Sequence, residues 1–130
     1  MSFAPMEHEK DPKLQILDEI GDISGFEVAN NQILVAVYIR PQKTKSGIIL
    51  TSHTTDEDRY QAKVGLLLKK GPDAFVDPDG NWFKGLDINL NDWIVHRSSD
   101  GWSITVNGVL CRLMEDTSIK GRVDIPDRVW

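Results

Sequence analysis

The fold class follows from one stretch near the C-terminus, Trp102-Ser103-Ile104-Thr105-Val106-Asn107-Gly108-Val109-Leu110-Cys111-Arg112-Leu113-Met114. Its Asn-Gly pair stands between two runs that are rich in β-branched and other apolar residues. Both central residues of a type I′ turn need a positive φ, which Asn and Gly accept more readily than other residues. The stretch therefore predicts a β-hairpin with strands over residues 102–106 and 109–114.

Similar β-rich runs, separated by turn residues, precede and follow this hairpin. They cover residues 33–39, 60–70, 93–97 and 119–123, and Asp79-Gly80 indicates a further short hairpin. Residues 33–39 do not alternate between apolar and polar, which indicates a strand buried on both faces. Short strands at this spacing are typical of a small β-barrel rather than a parallel α/β sheet. We therefore expect a mostly β fold.

A short helix is predicted upstream of the strands. Asp11 is a suitable N-cap, Pro12 suits the first helical position, and Gly21 suits the stop, with Leu14, Leu17 and Ile20 as the apolar stripe. A helix of about two turns is marginal alone, so its stripe must pack on this domain or on a neighbouring chain. We divide the chain into an N-terminal extension with this helix (residues 1–30), a barrel domain (31–123) and a C-terminal tail (124–130).

Composition excludes several classes of protein. The net charge is −5 and no run of Lys and Arg forms a basic stripe, so a nucleic-acid partner is not expected. The apolar runs 33–39 and 64–68 are far shorter than the roughly 20 residues that span a bilayer, so no membrane association is expected. Residues 1–13 are acidic and lack the features of a secretory signal, and a single cysteine fits a reducing compartment. These features predict a cytoplasmic protein.

The residue types that catalysis or metal binding requires are not arranged for either task. His8, His53 and His96 have no partner at ligand spacing, and residues 77–88 lack the central glycine and terminal glutamate of a calcium loop. No nucleophile stands beside a base, and no glycine-rich phosphate loop is present. We therefore predict a protein-binding domain that is not an enzyme and that has no catalytic residue, cofactor or metal.

One apolar tripeptide, Ile48-Ile49-Leu50, stands out from its polar surroundings. Residues 43–47 precede it and the polar, unperiodic residues 51–59 follow it. It is either one more barrel strand or an adhesive tripeptide on a loop that becomes ordered when it binds a partner.

The order of these elements resembles the GroES co-chaperonin family over residues 31–123. The first strand leads through Lys43-Thr44-Lys45-Ser46-Gly47 into the tripeptide, and a polar segment then reaches Val64-Gly65-Leu66-Leu67-Leu68. Further matches are Asn91-Asp92-Trp93-Ile94-Val95, Asp100-Gly101-Trp102, the hairpin, and the closing residues 118–123. The resemblance implies a small GroES-like β-barrel.

The same resemblance implies a role for several segments. Ile48, Ile49 and Leu50 would form a mobile loop that binds an apolar groove of the large chaperonin ring when nucleotide is present. The first and last barrel strands of adjacent subunits would pair, which makes the protein a homo-oligomer that forms a ring, as members of the family do. Residues 75–85 would form the roof hairpin, and Trp102 would face the enclosed cavity.

The chain also departs from the family. It adds about thirty residues before the first strand and a tail after the last, and one glycine, Gly47, precedes the tripeptide where two are common.

Two hypotheses about function follow from the resemblance and these departures. The first is a co-chaperonin, of a bacteriophage type with extensions, acting in the host cytoplasm to cap the large chaperonin and assist protein folding. The alternative is a bacteriophage virion head or decoration protein whose extensions hold capsid subunits, and Phe3, Val129 and Trp130 favour it.

Overall fold

A computed structural model of the chain describes residues 11–39, 61–76, 85 and 87–129. In chain order these residues form one helix and six strands: α1 (Pro12–Ile20), β1 (Gln32–Val37), β2 (Val64–Lys70), β3 (Trp93–Val95), β4 (Trp102–Val106), β5 (Val109–Glu115) and β6 (Gly121–Val123). Two 3₁₀ helices follow β5 and β6, at Asp116–Ser118 and Pro126–Arg128. The prediction of a mostly β fold with a short N-terminal helix is confirmed.

The six strands form one antiparallel sheet in the order β4-β5-β1-β2-β3-β6. No pairing joins β4 to β6 within the described residues, so the sheet there is open and not the closed barrel that we expected. β1 lies between β5 and β2 and is hydrogen-bonded to both. It therefore has no free edge for an adjacent subunit, and the implied pairing through the first strand does not hold.

Four strands are shorter than the sequence predicts, and one of them, β1, covers Gln32–Val37 instead of residues 33–39. β2 begins at Val64 because its partner β1 ends at Val37, and the last contact of the pair is the bond from Tyr38 N to Val64 O, 3.1 Å. β3 ends at Val95 because the chain turns between Arg97 and Asp100, whose backbone groups bond at 3.1 Å. β6 begins at Gly121, since Ile119 N still closes the preceding 3₁₀ turn on Asp116 O.

The helix α1 forms for the predicted local reasons. The Asp11 carboxylate accepts the N–H groups of Lys13 (2.8 Å) and Leu14 (3.4 Å), which have no partner inside the helix. At the other end, Gly21 adopts a φ of 62° and its N–H bonds to Leu17 O at 3.0 Å.

Among the described residues, no helix has the length and apolar character to cross a membrane.

The stripe of α1 packs on the sheet of the same chain. Ile20 is buried, and Ile16 and Leu17 pack around it, whereas Leu14 is 54 % exposed and lies outside the stripe in which we placed it. The Asn107 side-chain amide donates to the carbonyl of Ile20, 2.7 Å, at the helix end. The described part of the N-terminal extension thus shares a core with the strands.

Apolar residues are buried on both faces of the sheet. The inner core lies under α1, and its buried members are Ile20, Leu34, Ala36, Tyr38, Val64, Leu66, Leu68, Trp93, Val106 and Cys111. The outer core lies on the opposite face, and its buried members are Ile33, Val35, Leu67, Ala74, Ile88, Ile94 and Met114. Burial of alternate β1 residues in different cores explains why its sequence does not alternate.

The hairpin of β4 and β5 matches its prediction. Asn107 has a φ of 50° and Gly108 a φ of 82°, as a type I′ turn requires. Val106 pairs with Val109 next to the turn, and the register continues to Trp102 opposite Leu113. β4 therefore lies along one edge of the sheet, with Val106 next to the turn and Trp102 at the far end.

Candidate protein-binding site

Residues 38–63 connect two strands that lie side by side. β1 ends at Val37 and β2 begins at Val64, so 63 − 38 + 1 = 26 residues make the connection. Adjacent antiparallel strands can be joined by two residues, and connections longer than about 12–15 residues usually have a function. The tripeptide Ile48, Ile49 and Leu50 belongs to this connection but lies outside the described residues.

Tyr38 fixes the first end of the connection. Its side chain is 2 % exposed and its ring meets Trp93 edge to face, with centroids 5.5 Å apart and planes at 71°. The phenol hydroxyl donates to the Asp127 carboxylate in the C-terminal tail. A buried ring with a satisfied hydroxyl holds its backbone firmly, so the chain leaves the sheet at a set point.

The second end of the connection is fixed as well. Ala62 is fully buried, and Lys63 O accepts the backbone N–H of His96 at 2.9 Å. Both ends of residues 38–63 are therefore attached to the packed sheet, and Tyr38 N bonds to Val64 O between them.

His96 directly follows β3 and is bonded through its backbone N–H to this second end. It is 2 % exposed, and its Nδ1 lies 2.7 Å from Arg97 O, which makes Nδ1 the protonated nitrogen. Within the described residues Nε2 has no hydrogen-bond partner. Burial lowers the pKa of His96 below its usual value and the Arg112 charge lowers it further, while the bond to Arg97 and the Asp100 charge act in the opposite direction. The ring is therefore neutral at pH 7.

A buried carboxylate supports the segment that the resemblance makes the roof hairpin. Asp116 is fully buried and accepts the Asn31 amide at 3.2 Å and the backbone N–H of Phe75 at 2.9 Å. Phe75 has a φ of 62°, which is rare for a bulky residue and requires such support. Of residues 75–85, the structure describes 75, 76 and 85, so the hairpin itself lies outside the description.

Trp102 is the most exposed large apolar side chain among the described residues, at 68 %. It begins the edge strand β4 and lies on the face of Ile104 and Val106, but beyond the rim of the inner core. A contact with an enclosed cavity would require neighbouring subunits, so the cavity-facing role of Trp102 stays a prediction.

Cys111 occupies the inner core and is poorly suited to reactivity. Burial raises the pKa of its thiol to about 11, which outweighs the opposite effect of a bond to the Val106 backbone. At neutral pH the group is a thiol, and the thiolate is the reactive form.

In the described ranges, no group of three or more His, Cys, Asp or Glu side chains is placed to hold a metal ion.

Sequence patterns did not reveal the residues that hold these segments. The hydrogen bonds from Tyr38 to Asp127 and from Asn31 to Asp116 span 89 and 85 positions of the chain, and the bond from Phe75 to Asp116 spans 41. His96 could be placed in a strand, but its burial depends on packing by other elements. A polar residue directly after an apolar strand, as Asp116 follows β5, was the one available signal.

The described residues thus form an open sheet that anchors two long segments and exposes Trp102 at one edge. No model of a known protein family matches the chain, and no curated protein is detectably similar to it in sequence.

Proposed function

We propose that the chain is a co-chaperonin subunit, of a bacteriophage type, that binds the large ATP-dependent chaperonin through Ile48, Ile49 and Leu50. The observation that carries this proposal is the 26-residue connection from 38 to 63, whose two ends are held by the packed sheet. Within residues 43–59 of this connection every other residue is polar or glycine, and an apolar tripeptide in such surroundings suits an apolar groove on a partner.

The energetics of such a loop favour a multivalent assembly. Full burial of three aliphatic side chains contributes roughly 1.5–3 kcal/mol each. Ordering the surrounding backbone costs about 1–2 kcal/mol per residue, so one loop binds weakly. Several loops on one oligomer bind far more tightly than one, because each bound loop raises the effective concentration of the next. A homo-oligomer, by analogy a ring, therefore belongs to the proposal.

We propose that the full chain folds as a GroES-like barrel. Ile104 and Val106 of β4 and Val123 of β6 pack on the one inner core, which supports a barrel-like curvature of the sheet that does not need β4 and β6 to pair. The buried Asp116 carboxylate supports the first residue of the proposed roof hairpin, residues 75–85. Trp102 is exposed beyond the rim of the same core, where an aromatic side chain could face an enclosed cavity.

Replacement of Ile49 tests the proposal. Ile49→Asp should reduce nucleotide-dependent binding to the large chaperonin by at least a factor of ten, because a carboxylate in an apolar groove loses its hydration. The measurement is co-sedimentation with a purified chaperonin ring, with ADP or ATP present and absent. Leu14→Asp is the matched control, since it introduces the same charge at an apolar side chain that is 54 % exposed on α1.

Two results would contradict the proposal. If Ile49→Asp abolishes the circular dichroism spectrum of the folded protein, the tripeptide belongs to the core and is no binding loop. If the wild-type chain binds no chaperonin with either nucleotide, the co-chaperonin function is excluded.

The second candidate is a bacteriophage head or decoration protein. Of the residues that favoured it in the sequence, Phe3 and Trp130 lie outside the described residues, and Val129 packs on the inner core. The support comes instead from Leu14, which is 54 % exposed, and Ile125, which is 40 % exposed. Such residues could dock on neighbouring capsid subunits. Mass spectrometry of purified virions tests this function, because a structural protein is present there and a co-chaperonin is not.

A further inference from the structure

The edge strand β4 lacks the features that usually protect an exposed strand. In the described sheet it pairs with β5 on one side and has no strand on the other. Natural edges are commonly blocked by lysine, proline, a bulge or a very short strand. β4 has five residues, none of them charged or proline, whereas the opposite edge β6 has three residues and carries Arg122. Among the described residues, the outer edge of β4 is therefore free to pair with a further strand.

The side chains of β4 have a symmetric order about Ile104. A bulky apolar residue stands at each end, Trp102 and Val106, and a hydroxyl residue stands on each side of the centre, Ser103 and Thr105. Two copies of this strand, placed antiparallel about a two-fold axis at Ile104, would bring like side chains together. Neither copy contributes a charge to the contact.

We propose that a second copy of this chain pairs with β4 across such a two-fold axis. Ile104 then lies opposite the partner subunit's Ile104, Ser103 opposite the partner subunit's Thr105, and Trp102 opposite the partner subunit's Val106. Hydroxyl pairs and pairs of an aromatic with a β-branched residue stabilise antiparallel strands. A contact that uses the same surface on both copies closes at two subunits, so it is a different contact from the one that would close the proposed ring.

Trp102 gains most from this contact. It stands opposite Leu113 of β5 in the strand register, and its side chain is 68 % exposed. Strand pairing also satisfies the backbone N–H and C=O groups along the outer edge of β4. The contact is small beside a standard interface of roughly 1,600 Å², so we expect a dimer that dissociates in the micromolar range. This inference is independent of chaperonin binding.

Like charges placed opposite each other test the dimer. S103K/T105K puts two lysines of each copy against two of the other, on side chains that are exposed and outside the cores. The dissociation constant measured by sedimentation equilibrium should rise at least tenfold. Q15K/T117K is the control, because it adds the same charge at exposed positions away from the edge and should leave the constant unchanged.

Cross-linking tests the register. When S103C and T105C proteins are mixed under oxidising conditions, a disulfide-linked dimer should form, and it should not form in either protein alone. Cys111 can stay in place because it is fully buried, and burial raises its pKa to about 11. A wild-type monomer at high micromolar concentration, a dimer that S103K/T105K leaves intact, or equal cross-linking in the single proteins would each overturn the proposal.

Discussion

His96 shows how one buried side chain can make this fold sensitive to acid. Its ring is neutral in the folded protein because burial opposes the charged form, and its Nε2 has no acceptor within the described residues. In the unfolded chain the same ring has a pKa of about 6.5. The unfolded state therefore binds more protons at mildly acid pH, and the free energy of unfolding should fall as the pH falls below that value.

The pH dependence of His96→Gln tests this explanation. The stability that neutral His96 contributes is fully present above about pH 6.5 and is lost as the pH falls toward the lower pKa of the folded state. Urea unfolding between neutral and mildly acid pH should thus show a steeper loss for the wild type than for the variant. The comparison cancels the contributions of His8 and His53, which both proteins retain. Equal slopes would exclude a lowered pKa for His96.

At the scale of elements, the β4–β5 turn has two separate roles. Asn107 adopts the positive φ that the turn requires, and its side-chain amide also bonds to the carbonyls of Ile20 (2.7 Å) and Asp22 (3.2 Å) at the end of α1. The turn is thus local in conformation but attaches the helix to the sheet. These two roles can be separated by substitution.

Asn107→Gly should keep the turn and lose the attachment, whereas Asn107→Val should lose both. Each lost hydrogen bond costs about 0.5–1.5 kcal/mol of unfolding free energy, and a β-branched residue at positive φ costs a further ~1–2 kcal/mol. Denaturant unfolding measures both losses. If the two variants lose equal stability, turn strain is not significant; if Asn107→Gly loses none, the bonds to α1 do not stabilise the fold.

The fold of the whole molecule depends on α1 more than it would if residues 1–30 formed a separate extension. Ile16, Leu17 and Ile20 of α1 pack on the inner core together with strand residues. Full burial of Ile20 contributes roughly 1.5–3 kcal/mol and the partly buried Ile16 and Leu17 add to it, which is a large share of the stability of a small domain, about 5–15 kcal/mol. A barrel that begins at residue 31 is therefore not expected to fold alone.

Two deletions test the predicted domain division. Removal of residues 1–24 should leave a chain without a cooperative thermal transition, because the inner core would then face water on the side of α1. Removal of residues 1–10, which stops before the Asp11 cap, is the control for shortening the chain and should preserve the transition. A folded protein after the longer deletion would restore the boundary at residue 30.

The sequence by itself determined the features that depend on neighbours along the chain. The cap at Asp11, the stop at Gly21 and the turn at Asn107-Gly108 each require a particular backbone conformation, and the residue types there reveal it. The order of the strands and the continuous apolar run of β1 are local in the same sense. These signals were sufficient for a mostly β fold with a short helix.

Only the tertiary structure decided which strands became edges and which polar groups became buried. β1 lies at the centre of the sheet and β4 at its edge because of pairings over long chain separations, which no local pattern encodes. Asp116, His96 and Tyr38 acquire their environments in the same way, from elements distant along the chain that pack around them. Leu14 and Leu17 look alike in the sequence, and only the position of α1 on the inner core leaves the first exposed while the second packs.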